Sequence, residues 1–210
     1  MYIRHPNRII FPLPLLMLSL SYKQGYSQSA ITSPPITTHT AEIPSKPLTT
    51  ILVTSTPDDT VEDLLFSYAC PTSEGDPIKE KLQVCALPIG LRMIFTTIVL
   101  QDEVDNGGLD QFFQNPSGQF ANEALEDLKR IGATKHAKIL HDAILLHKHD
   151  EIIGSKTPTR KSHDRPLSYS EGRMSELDDL FYNCKENLST LRIRFIRKHP
   201  TLFVVNTKLK

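Results

Sequence analysis

The sequence has no Cys-x-x-Cys pair, and its three cysteines, Cys70, Cys85 and Cys184, are odd in number. That excludes the common zinc-ribbon and dithiol redox motifs. In an exported protein Cys70 and Cys85 could close a bridge between neighbouring helices, leaving Cys184 buried and unpaired; sequence alone leaves the pairing open. No apolar run reaches the roughly 20 residues that a membrane-spanning helix needs, so no stable membrane span is expected. A Walker loop and a Rossmann glycine pattern are also missing. Asn106-Gly107-Gly108 follows a helix-like stretch, whereas both phosphate motifs need a strand before them. No segment alternates apolar and polar residues with period two, and no repeat is visible.

Net charge is zero over 210 residues, but it is unevenly distributed. Between Pro57 and Asp127 fourteen Asp or Glu face only Lys79, Lys81 and Arg92, while from Leu128 to Lys210 seventeen basic residues face nine acidic ones. The acidic part disfavours direct contact with nucleic acid, so the expected partner is a protein.

Arg4 and Arg8 precede an apolar run from Ile9 to Leu20, and Ser27 and Ser29 follow at the spacing of a signal-peptidase site. Residues 1–29 therefore read as a secretory signal peptide, which places the mature chain in the periplasm or outside the cell; an uncleaved leader would leave it in the cytoplasm. Residues 30–56, rich in Thr, Ser and Pro, read as a flexible tether after a disordered leader. Within it, Ile51-Leu52-Val53 could form one short strand outside the domain.

The domain is expected over 57–205, opening at Thr56-Pro57-Asp58-Asp59 with a capping hydroxyl, an N-terminal proline and first-turn acids. Val61, Leu64, Leu65 and Tyr68 follow helical spacing. Asp76-Pro77 opens a short helix with Ile78, Leu82 and Cys85 inward. The segment 88–105 is apolar nearly all round, which predicts a central helix. After the Gly-Gly corner come a short helix over Leu109–Gln114, a stripe from Phe120 to Ile131 capped by Gly132, and a helix from Thr134 with Ala137, Leu140, Ile144 and Leu145 inward. Gly154–Arg173 reads as a loop, Ser175–Asp178 as a capping box, and Leu177, Leu180, Phe181 and Cys184 as one apolar face; Leu188, Leu191, Phe195 and Ile196 form another, stopped by Pro200. The fold class is all-α: a compact bundle of about seven or eight helices.

The stretch from Glu103 to Gly118 organises the chain. Two glycines permit an abrupt turn between helices, and Phe112-Phe113 pins both sides to one core. Asp102, Glu103, Asp105 and Asp110 crowd the turn. Asp102 lies on the line of Leu91, Phe95 and Ile98, which suggests that it faces partly inward and accepts the backbone N–H groups beyond Gly107. The same carboxylates could instead form a partner-binding face or serve acid–base or metal chemistry. The face is assigned to Asp102, Glu103, Asp105, Asn106, Gly107, Gly108, Asp110, Gln111 and Asn115, with no catalytic residue, metal or cofactor, and the chain is not expected to be an enzyme. His136, His141, His147 and His149 lie close in sequence, but only His141 and His149 approach one face, two turns apart, so they read as a solvated face.

Three stretches give the chain a family resemblance: Leu87-Pro88-Ile89-Gly90-Leu91-Arg92; the corner Glu103–Gly118 with Ala124-Leu125 and Ile131-Gly132-Ala133; and Leu177-Asp178-Asp179-Leu180-Phe181-Tyr182 with His199-Pro200-Thr201-Leu202-Phe203. Over roughly 87–203 the chain resembles the bacterial DNA-mimic protein family. The family's corner pattern is close to E-x-N-N-G-G-F-x-Q-F-F-x-N, with Asp105 here in place of the first Asn and Leu109 in place of the Phe. The resemblance implies an all-helical domain able to form a homodimer. It also implies a use for the acidic residues, since the best-known member imitates the charge of DNA and occupies a transcription factor.

Overall fold

A computed structural model describes residues 47–72, 75–156 and 169–204, all within the unit Pro44–Lys210. The expectations for the leader, for residues 30–46 of the tether, for 157–168 of the loop and for residue 205 lie outside these residues. The described residues form eight α-helices and two 3-10 turns, with no strand among them. The helices are α1 (Thr50–Ser55), α2 (Val61–Ala69), α3 (Pro77–Ala86), α4 (Ile89–Gln114), α5 (Ala121–Ile131), α6 (Thr134–Lys156), α7 (Tyr169–Tyr182) and α8 (Leu188–Lys198); the 3-10 turns are Pro116–Phe120 and Pro200–Phe203. The domain is the all-α bundle that helical periodicity predicts.

α4 is its axis. Leu91, Met93, Ile94, Phe95, Leu100 and Val104 are buried on it. Each large apolar side chain removed from water contributes about 1.5–3 kcal/mol, so a helix apolar on nearly every side belongs inside. Phe95 stacks with Phe66 of α2 and meets Phe120 edge-on. α5 is fixed to α4 by polar contacts as well: Arg92 Nε and Nη2 donate to the two oxygens of the fully buried Asp127 at 3.1 and 2.9 Å, and the Thr96 hydroxyl adds a third bond at 3.0 Å. Gly132 closes α5 in the left-handed conformation expected of its cap.

The acidic and basic halves of the sequence partly neutralise each other inside the bundle. Arg192 of α8, fully buried, donates to Glu62 of α2 and, at 3.1 Å, to Gln101 of α4. Arg197 bonds Asp58 and donates to the carbonyls of Val53 and Thr56 at 2.7 and 2.6 Å. The latter two bonds tie down α1, whose Val53 is fully buried. The stretch read as a short strand is thus a helix docked on the bundle upstream of residue 57.

Other local expectations are corrected. Pro57 starts a turn, its carbonyl accepting from Thr60 and Val61 N–H at 3.2 and 2.9 Å, and α2 opens only at Val61. α3 begins at Asp76-Pro77 as expected but packs on its other side. Lys81 Nζ reaches Glu123 at 2.6 Å and the Gln119 carbonyl at 2.7 Å, Val84 is buried beside it, Ile78 and Leu82 face outward, and Cys85, though exposed, holds its Sγ 3.8 Å from Glu123 Oε1. Cys70 and Cys85 are free, as is the half-buried Cys184, and burial pushes the Cys70 thiol up to about 11. Both ends of the expected loop are helical, because α6 runs to Lys156 and α7 starts at Tyr169. The supposed capping box therefore lies inside α7, where buried Met174 and Leu177 carry the helix upstream. Leu145 and Leu180 are exposed rather than inward.

Candidate functional site

α4 breaks at the glycine pair. Gly107 has an extended φ of −162°, and Gly108 sits at φ 83°, ψ 178°, a region essentially closed to residues with a Cβ. A Cβ on Gly108 would also lie 2.7 Å from Asp178 Oδ2. The helix then resumes with Leu109 and Phe112 buried.

α7 closes the break from the side. Asp178 Oδ1 accepts the Leu109 backbone N–H at 2.8 Å, and one helical turn on, the Tyr182 hydroxyl donates to the Val104 carbonyl at 2.6 Å. One helix face thus supplies an acceptor on one side of the break and a donor on the other. The acceptor role had been expected of Asp102; the structure gives it to Asp178, and Asp102 is exposed. Burial, and after it the charges of Asp110 and Asp179, raise the Asp178 pKa above its ordinary value, while the Leu109 N–H opposes the rise.

A second polar assembly lies beneath the corner. Glu103, 3% exposed, accepts from Gln111 Nε2 at 3.1 Å, Asn115 Nδ2 at 2.7 Å and the Ser117 hydroxyl at 2.9 Å. A buried carboxylate is costly unless its lone pairs are met, and here three donors from residues 111–117, beyond the break, meet them. These bonds fold the chain after the break back onto the helix before it.

The nine residues assigned to a partner-binding face therefore divide. Glu103 and Gly108 are buried, and Gln111 and Asn115 are half-buried with side chains bonded to Glu103. Asp102, Asp105, Asn106, Gly107 and Asp110 are exposed. Ser117, Asp178 and Tyr182 join the site without having been singled out for it. The i, i+4 spacing of Asp178 and Tyr182 was a visible signal, but nothing in the sequence said which carbonyl and N–H it would meet.

The four histidines on α6 have separate environments. His141 is exposed beside Asp142, His149 is exposed, and His147 stacks on Phe113 with ring centroids 4.4 Å apart. His136 is buried, edge-on to Phe181 and 3.1 Å from Glu186.

The stretches that carried the resemblance meet in space. Asp178 and Tyr182 grip the corner, and a Cβ on Gly90 would lie 2.8 Å from the Leu202 carbonyl and the Phe203 ring. The family model for DMP19-like proteins matches residues 85–199. The chain belongs to that family. No curated protein and no solved structure matches it. In this DMP19-like chain the matched region includes all of α4, α5 and α8, the complete Glu103 assembly and both α7 residues that close the break. No helix among the described residues is long and apolar enough to cross a membrane.

Proposed function

We propose that this DMP19-like domain is a non-catalytic protein-binding module whose corner carboxylates, Asp102, Asp105 and Asp110 with Asp179 of α7, engage the basic, DNA-contacting surface of a DNA-binding protein. The observation that carries the reading is the division of labour at the corner. Its inward polar groups are engaged in holding the break, and the side chains that it turns outward are mainly carboxylates. From Met93 to Leu128 the sequence contains no Lys or Arg. Three other carboxylates of the acidic half, Asp127, Glu62 and Asp58, are paired with Arg92, Arg192 and Arg197. Carboxylates held on a rigid corner compete with phosphates for Lys and Arg, and such a complex weakens as salt rises. The family's DNA-mimic character supports the class of partner. Mutual exclusion is the test: a partner bound to this chain should lose its DNA mobility shift, and a ternary complex would reject the reading.

A second reading keeps the same surface but places the partner outside the cytosol. The leader pattern of Arg4, Arg8, Ile9–Leu20, Ser27 and Ser29 favours it. Intact mass of the protein from separated cell fractions decides between them: cleavage near Ser29 supports export, and a full-length cytosolic chain supports a DNA-binding regulator as partner.

A further inference from the structure

The first turn of α6 and the segment joining α7 to α8 bring together three side chains that the corner does not use. One potential ligand atom from each of His136, Cys184 and Glu186 lies within 4.8 Å of the other two, the one such group among the described residues. His136 Nδ1 and Glu186 Oε2 are 3.1 Å apart. Two ligands on a tetrahedral zinc ion, each about 2.0–2.1 Å from the metal, stand about 3.3 Å from each other. The nitrogen–oxygen pair already has that separation, and a thiolate needs to move by roughly an ångström to join it. Cys184 lies in a non-helical stretch between Asn183 and Asn187, so such a movement breaks no helix.

We propose that His136, Cys184 and Glu186 form a three-ligand site for a zinc-class divalent cation, with water in the fourth position. Nitrogen and thiolate donors favour zinc or cobalt over magnesium or calcium. Cys184 also lines an open groove with Lys135, Lys138, Asp142, Leu177 and Lys185.

The opposing force is the α6 N-terminus. Glu186 accepts the backbone N–H groups of Lys135 and His136 there, at 3.0 and 3.1 Å. A helix N-terminus carries about half a positive charge, against two full negative charges from carboxylate and thiolate. On binding, the Cys184 sulfur forms the metal bond and releases its proton to solvent. The ring proton of His136 moves to Nε2, leaving Nδ1 free to coordinate. The ion would lock the start of α6 to the end of α7, the helix that closes the corner.

The test uses the full chain, stripped with chelator and titrated with cobalt(II). A near-ultraviolet thiolate-to-cobalt charge-transfer band should saturate at one ion per chain and disappear when zinc is added. Cys184→Ser should abolish the band and weaken binding by more than the roughly 100-fold that follows loss of a supporting residue. Cys70→Ser and Cys85→Ser should leave it intact. In the unsubstituted chain, zinc should slow alkylation of Cys184 and leave the exposed Cys85 unaffected, which keeps the proposal testable if Cys184→Ser fails to fold. A missing band, a band that survives Cys184→Ser, or alkylation of Cys184 indifferent to zinc overturns the proposal.

Discussion

Asp178 on α7 holds the Leu109 backbone N–H at 2.8 Å, across 69 positions of sequence, at the point where α4 leaves and re-enters helical geometry. The bond matters because the N–H groups at a new helix start have no partner within the helix. Asp178→Ala should leave this one without an acceptor. The variant is expected to be about 1–3 kcal/mol less stable than Asp178→Asn, whose amide oxygen still accepts the bond, as measured by urea denaturation.

The same pair has a pH signature. The folded pKa of Asp178 lies above the ordinary 3.8, through burial first and then the charges of Asp110 and Asp179. The folded chain therefore keeps this proton to higher pH than the unfolded chain. The contribution of Asp178 to stability is fullest below pH 3.8 and is lost as pH rises through the folded pKa. Asp178→Asn lacks this titration. Its stability relative to the unsubstituted protein should shift in favour of the variant as pH rises over that window and then level off. A constant difference would mean that Asp178 ionises as it does in the unfolded chain.

The two corner glycines should respond differently to alanine. Gly108→Ala forces a Cβ into a positive-φ conformation and against Asp178, so a loss of about 1–3 kcal/mol or more is expected. At Gly107 the backbone is ordinary, but a Cβ would lie 2.0 Å from Gln111 Oε1. That side chain can move, at the cost of its bond to Glu103. Gly107→Ala should be the milder change, and thermal melts of the two variants side by side test the order.

Glu103 and its sequence neighbour Asp102 give the sharpest contrast between interior and surface. Glu103→Ala leaves the donors of Gln111, Asn115 and Ser117 without their acceptor in a buried site, and should cost about 3 kcal/mol. Asp102→Ala, at an exposed position, should cost no more than about 1 kcal/mol, the range of an exposed polar pair. Equal effects would contradict the division of the corner into scaffold and surface.

Some local signals were legible in the sequence, while the caps read at Thr56-Pro57 and Ser175–Asp178 were not helix starts. The apolar circumference of 88–105 identified the central helix, Asp76-Pro77 the start of α3, and Gly132 the end of α5. What stayed hidden depended on distant partners. Lys81 turned α3 over because Glu123 and the Gln119 carbonyl lie on the far element, and α1 is held by Arg197, more than 140 positions away. At the corner, the acidic cluster and the glycine pair were visible as residue types. Which carboxylate points inward was not: Asp102 and Glu103 differ by one position, about 100° on a helix, and only the donors beyond the break select Glu103.

The most direct test of the protein-binding reading is affinity capture from the native host with the unsubstituted chain and with Asp105→Lys/Asp110→Lys, the folded state of the variant being verified by circular dichroism. Specific capture of a DNA-binding protein by the unsubstituted chain is predicted, with release by rising salt and loss in the variant. Recovery of the same proteins by both chains, unaffected by salt, would contradict it.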